Sequence, residues 1–117
     1  MSFEFFSKKG EFFKGNLHGH SRYSDGKLTP EEVCNAYIQK GYDFISITDH
    51  FLEMFNYPLT LPELKIKNFT VIPGAELHTS KMENGELWHL LALGLNEKFK
   101  PPNQPNFLIN TKSENIE

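Results

Sequence analysis

Cysteine is almost missing from this 117-residue chain: Cys34 stands alone, so no internal disulfide can form. A reducing compartment is the simplest setting, and the cytoplasm the default expectation. No apolar run approaches the ~20 residues of a membrane span. The aromatic opening, Met1 to Lys14, is broken by Glu4, Lys8, Lys9 and Glu11, so it does not read as a signal peptide. Basic residues are neither in excess nor clustered, with 12 against 15 acidic and a net charge of -3. That excludes the electrostatic footprint of a tight non-specific nucleic-acid binder, though not a nucleotide substrate. Repeats and low-complexity tracts are also missing. A single arginine, Arg22, leaves a buried carboxylate few cationic side chains to pair with.

What remains is enough for a globular domain. The chain is 38% hydrophobic and holds eleven Phe, four Tyr and one Trp, sufficient for a core. Residues 2–14 carry two Phe-rich patches around Lys8-Lys9-Gly10, an expected hairpin or edge strand. Asn16 to His20 reads as a short strand running into a polar loop with an Asp25-Gly26 turn. Helix punctuation follows: Thr29 as N-cap, Pro30 at the first position, Glu32 completing a capping box and Gly41 as the stop. Val33, Ala36 and Tyr37 share a face at helical spacing. Strands are expected at Phe44–Thr48, Phe69–Ile72 and Ala75–His78, with one turn of helix at 62–66. Leu87–Leu95 is almost wholly apolar and predicts a strand covered on both faces. Lys100 to Glu117 reads as a tail or the start of a further element. This order predicts an α/β fold with mainly parallel strands.

The chemistry-bearing residues fall at strand ends. His18 and His20 are two apart, so on a strand their imidazoles face the same side, with Gly19 leaving the backbone open between them. Asp25 lies in the following loop, Asp49-His50 ends the second strand, and Glu76 and His78 end the third. His89 sits early in an apolar strand, where an unpaired imidazole is costly to bury. Parallel α/β folds gather functional groups at the carboxyl ends of strands. Each residue taken singly has a plainer reading. The histidines could hydrogen-bond loops, Asp25 could only form a turn, Asp49 could cap one, and Cys34 is better explained as a packed thiol than as a nucleophile. Together they point to a shared site for metal ions. Nitrogen and carboxylate donors without thiolates suit Zn, Mn or Fe better than a structural zinc finger. Such clusters generate hydroxide near neutral pH and neutralise a phosphoryl group.

His18-Gly19-His20, Ser24-Asp25-Gly26, Thr48-Asp49-His50, Gly74-Ala75-Glu76 and His89 before Leu93-Gly94 together resemble the PHP (polymerase and histidinol phosphatase) family, over about residues 15–95. The resemblance implies a distorted seven-stranded β/α barrel with up to three metals, which hydrolyses phosphomonoesters or phosphodiesters by metal-bound hydroxide. It implies that His18 and His20 hold a first metal, that Glu76 bridges it to a second held by His89, and that Asp25 and His50 bind a third. Asp49 would stand behind the ligands or form a turn, orienting His50, and His78 matches no ligand position. Arg22 would be a substrate contact. The expected partner is a phosphorylated small molecule or nucleotide. The family also supplies a later His and an Asp-x-His pair, whereas here no His follows His89 and no Asp follows Asp49. Residues 1–117 are therefore expected to form a single PHP-like domain, incomplete at its C-terminus, whose open sheet edges favour self-association. Two other functions stay open: a non-catalytic metal-binding or interaction module, and a metal-dependent hydrolase of non-phosphate substrates.

Overall fold

The computed structural model describes residues 10–63, 65–78, 88–96 and 99. The expectations for residues 2–9 of the Phe-rich hairpin, for 79–87 and for the tail at 100–117 lie outside these. Residues 10–14 contain no strand.

The architecture is mixed α/β. Three short parallel strands, β1 (Gly15–Asn16), β2 (Phe44–Ile45) and β3 (Thr70–Val71), form one sheet in the order β1-β2-β3. One helix, α1 (Pro30–Gln39), connects β1 to β2. A second pair, β4 (Gly74–His78) and β5 (His89–Leu93), is antiparallel. The mainly parallel expectation thus holds for the first sheet and not for the second.

The helix forms where its punctuation lies. The Thr29 hydroxyl accepts the Glu32 N–H at 3.1 Å, Pro30 opens the first turn, and the chain leaves through Gly41 at φ 81°. Val33 and Cys34 are buried against Ile45 and Ile47, with Tyr37, Ile38, Ile66, Phe69 and Val71 around them. Cys34 is the packed thiol the sequence suggested; burial, with the Glu31 carboxylate nearby, pushes it above its ordinary pKa. A second core of Phe51, Ala75 and Leu77 lies under β4 and β5.

Three local expectations are corrected. No helical turn forms at 62–66 among its described residues. Ile66 packs on the first core and the Glu63 N–H turns to Glu31 Oε1 at 3.3 Å, while a 3-10 turn forms at Glu53–Phe55 instead. β5 is not covered on both faces. It pairs only with β4 among the described residues, alternates exposed and half-buried, and leaves Leu91 and Leu93 open. The first strand does not run cleanly to His20. Ser46 N–H bonds Asn16 O, but Thr48 N–H bonds Gly19 O, so the ladder gains one residue on the β1 side. That is a bulge, a device that re-aims side chains beside functional sites. Asn16 braces it, donating from Nδ2 to His18 O at 2.9 Å and to the Tyr37 hydroxyl at 2.6 Å.

Candidate metal centre

Three chain segments deliver the site where the first sheet meets β4. The bulge carries His18 and His20, the continuation of β2 carries Asp49 and His50, and β4 carries Glu76 and His78. His50 and Glu76 form a parallel bridge, with Glu76 N–H bonding Asp49 O at 3.0 Å and Phe51 N–H bonding Glu76 O at 2.9 Å. The period of β4 sends Ala75 and Leu77 into the second core and Glu76 and His78 to the other face. β5 completes the rim, because its register places His89 opposite His78.

The loop after His20 is closed from within. Gly26 N–H bonds Ser21 O at 2.8 Å, and a Cβ on Gly26 would stand 2.7 Å from His20 O. Glycine is required there by the close approach. Asp49 locks the same loop to β2. Its buried carboxylate accepts from Ser21 N–H, the Ser21 hydroxyl, the Ser24 hydroxyl and the Thr60 hydroxyl. The Asp49 side chain thus holds the loop before the helix, and no hydrogen bond ties it to the His50 ring among the described residues. Its carboxylate oxygens are taken by Ser21 and Ser24 of the loop that presents Asp25 and by Thr60.

Asp25 clips two imidazoles together. Its Oδ1 lies 2.6 Å from His20 Nδ1 and its Oδ2 3.1 Å from His50 Nε2. The opposite nitrogens turn inward: His20 Nε2 is 2.9 Å and His50 Nδ1 is 3.0 Å from Glu76 Oε2. His89 Nδ1 lies 3.1 Å from Glu76 Oε1, and His78 Nε2 lies 2.8 Å from His50 Nδ1. His18 stands at the margin, with Nδ1 2.7 Å from the Thr48 hydroxyl and its ring centroid 5.2 Å from that of His20.

Electrostatics shift two of these groups, Asp25 and His78. Burial acts to raise the Asp25 pKa, but the His20 hydrogen bond and the charges of His50 and His20 outweigh it and hold the carboxyl below its usual value. Burial, followed by repulsion from His89 and His50, lowers His78 to about 4, so it is neutral at pH 7. An ionised carboxylate only accepts hydrogen bonds, so the ring nitrogens facing Asp25 carry the protons and a neutral ring keeps its lone pair on the far side. In that neutral form the lone pairs point at Glu76 Oε2, itself an acceptor, whereas a doubly protonated ring would donate to it. Correspondingly, His20 Nε2 and Glu76 Oε2 are buried and, among the described residues, have no hydrogen-bond partner despite their proximity. Leaving such atoms unpaired costs about 1–3 kcal/mol each. A cation satisfies both at once, and imidazole nitrogens with carboxylate oxygens are the donors that divalent transition ions take. The residues fit a metal ion. Three donor clusters lie within reach of one ion each: His18, His20 and Glu76; His20, Asp25 and His50; His50, Glu76 and His78.

A family model described as PHP domain matches residues 16–105. The chain belongs to the PHP domain family. This is a metal-dependent phosphoesterase-type family that uses divalent metals. The chain is also similar to the DNA polymerase/3′-5′ exonuclease PolX of Bacillus subtilis (strain 168), at 37% identity over 78 residues. The similarity covers 55% of this chain and 14% of PolX, so the chain spans a small part of that relative's length.

Within this PHP domain, His18, His20, Asp25, His50 and Glu76 are brought together as donors. His89 reaches Glu76 but falls outside the three clusters and is half exposed, because β5 is an outer strand; the expectation that it is buried is corrected. Arg22 is exposed, and no ion pair includes it among the described residues. The residue whose role the sequence left open is His78, which is buried in the third cluster. Its signal was the two-residue spacing from Glu76. No helix among the described residues is long and apolar enough to cross a membrane.

Proposed function

We propose that this PHP domain hydrolyses a phosphomonoester or phosphodiester with divalent ions, Mn, Zn or Fe, held by His18, His20, Asp25, His50, Glu76 and His89. The observation that carries this reading is the buried Glu76 oxygen that faces the inward nitrogens of His20 and His50 and has no hydrogen-bond partner among the described residues. When bound, the ions supply Lewis acidity, which lowers the pKa of a water and neutralises charge on the phosphoryl oxygens. The chain's own residues do the positioning. Asp25 fixes the rotation and tautomer of two imidazoles. Glu76, pinned through both backbone groups, holds its carboxylate between them. The half-exposed rim at His18, Asp25 and His89 leaves a route for substrate.

Three donors per cluster also match catalytic sites, which keep coordination positions open, better than closed structural sites with four. The similarity to a protein named as a 3′-5′ exonuclease favours a phosphodiester, while the net charge of -3 weighs against nucleic-acid affinity residing in this chain alone. The parallel sheet and its helix are read as the first part of a β/α barrel. Metal-loaded chain should release nitrophenol from bis(4-nitrophenyl) phosphate or 4-nitrophenyl phosphate. Chelator and Glu76→Gln should abolish that release. Bound metal with no turnover of either substrate would favour the non-catalytic module instead.

A further inference from the structure

We propose that His78 is a metal ligand in its own right, sharing with Glu76 and His50 an ion bound against β4. The proposal rests on the metal-dependent reading above and extends its ligand set by a residue the family resemblance does not supply. It begins with backbone geometry. Glu76 and His78 are two apart in a paired strand, so their side chains leave the same face. The register sets His89 across from His78, with ring centroids 4.3 Å apart, and the His50 ring stands 4.9 Å away. His78 is thus enclosed by donors and sits 6% exposed, sheltered from bulk water.

Hydrogen-bond accounting sharpens the case. Asp25 Oδ2 faces His50 Nε2, so a neutral His50 carries its proton there and its lone pair on Nδ1. That Nδ1 is 3.0 Å from Glu76 Oε2 and 2.8 Å from His78 Nε2. Two acceptors, the His50 nitrogen and the Glu76 oxygen, therefore converge where His78 Nε2 also points. Glu76 is 5% exposed, and its Oε2 has no hydrogen-bond partner among the described residues. A proton on His78 Nε2 would satisfy His50 alone and leave Glu76 Oε2 orphaned. A divalent ion among the three satisfies all of them. An ion there accounts for both the burial of Glu76 and the direction of His78.

The test uses the whole chain and cadmium-113 or zinc as the probe. In wild type loaded with cadmium-113, the ring protons of His78 should show scalar coupling to the metal. His78→Gln should weaken zinc binding at the Glu76 site at least tenfold by equilibrium dialysis, with the circular dichroism unchanged; because a partner behind a ligand also gives about 10–100-fold, the coupling is what identifies the ligand. Uncoupled His78 rings with an observable Nε2 proton, or equal zinc affinity in both proteins, would overturn the proposal while leaving the phosphoesterase reading intact. A wild-type chain that takes up no ion would overturn both. If His78→Gln does not fold, the wild-type coupling decides.

Discussion

Replacing Asp49 with alanine removes the acceptor for four hydrogen bonds that close the site loop. Ser21 and Thr60 are fully buried, so the Ser21 N–H and the two hydroxyls lose their partner without gaining water. Ser24 is half-buried and can turn outward. At about 1–3 kcal/mol for each buried group left unsatisfied, and with some hydroxyl rotation, the expected loss is roughly 3–6 kcal/mol. That is a large share of the ~5–15 kcal/mol of a typical domain. Asp49→Asn keeps the shape and one acceptor oxygen, and serine and threonine hydroxyls can reorient toward its amide, so it should cost roughly 1–3 kcal/mol. Urea titrations at fixed m measure both variants. An Asp49→Ala protein within ~1 kcal/mol of wild type, or an Asn variant worse than the Ala variant, would refute the reasoning.

Gly26→Ala forces a Cβ against His20 and Ser21 backbone atoms and should destabilise the chain by about 1–3 kcal/mol while weakening metal uptake; unchanged urea midpoints would contradict this. Thr29→Ala removes the N-cap acceptor of α1 and should cost ~1 kcal/mol without altering metal stoichiometry. Cys34, buried with its thiol pKa raised, should react with a disulfide reagent only as fast as the chain opens, so urea below the midpoint should accelerate labelling. In the metal-free protein, His78 is depressed from 6.5 to about 4. Between those values the unfolded chain holds a proton that the folded chain does not, so stability should rise with pH across that window. His78→Gln should flatten the slope, measured by urea midpoints at pH 4.5 and 6.5.

The sequence made the helix legible because Thr29, Pro30 and Gly41 act through local backbone chemistry, which tertiary packing did not override. The convergence of His18, His20, Asp25, His50 and Glu76 was legible for a different reason: imidazoles and carboxylates recur beside each of the expected strands, where a shared pocket can gather them. The bulge between Asn16 and Gly19 was not legible, since nothing in Asn16 itself announces that its amide will brace an offset ladder. The exposure of β5 was missed because an apolar run reports the capacity to be buried and not the presence of a covering layer. His78 was undervalued because the polar residues after it suggested solvent, whereas pairing with β5 encloses it. Asp49 was assigned to its neighbour in sequence; the fold gives it instead to a loop some 25 residues away.

Equilibrium dialysis of the metal-free chain against Mn, Zn and Fe(II), read by elemental analysis, tests the metal centre most directly. At least one ion should remain per wild-type chain, and Glu76→Gln should lower that number. A chain that stays empty with all three metals would contradict the convergence of lone pairs on Glu76.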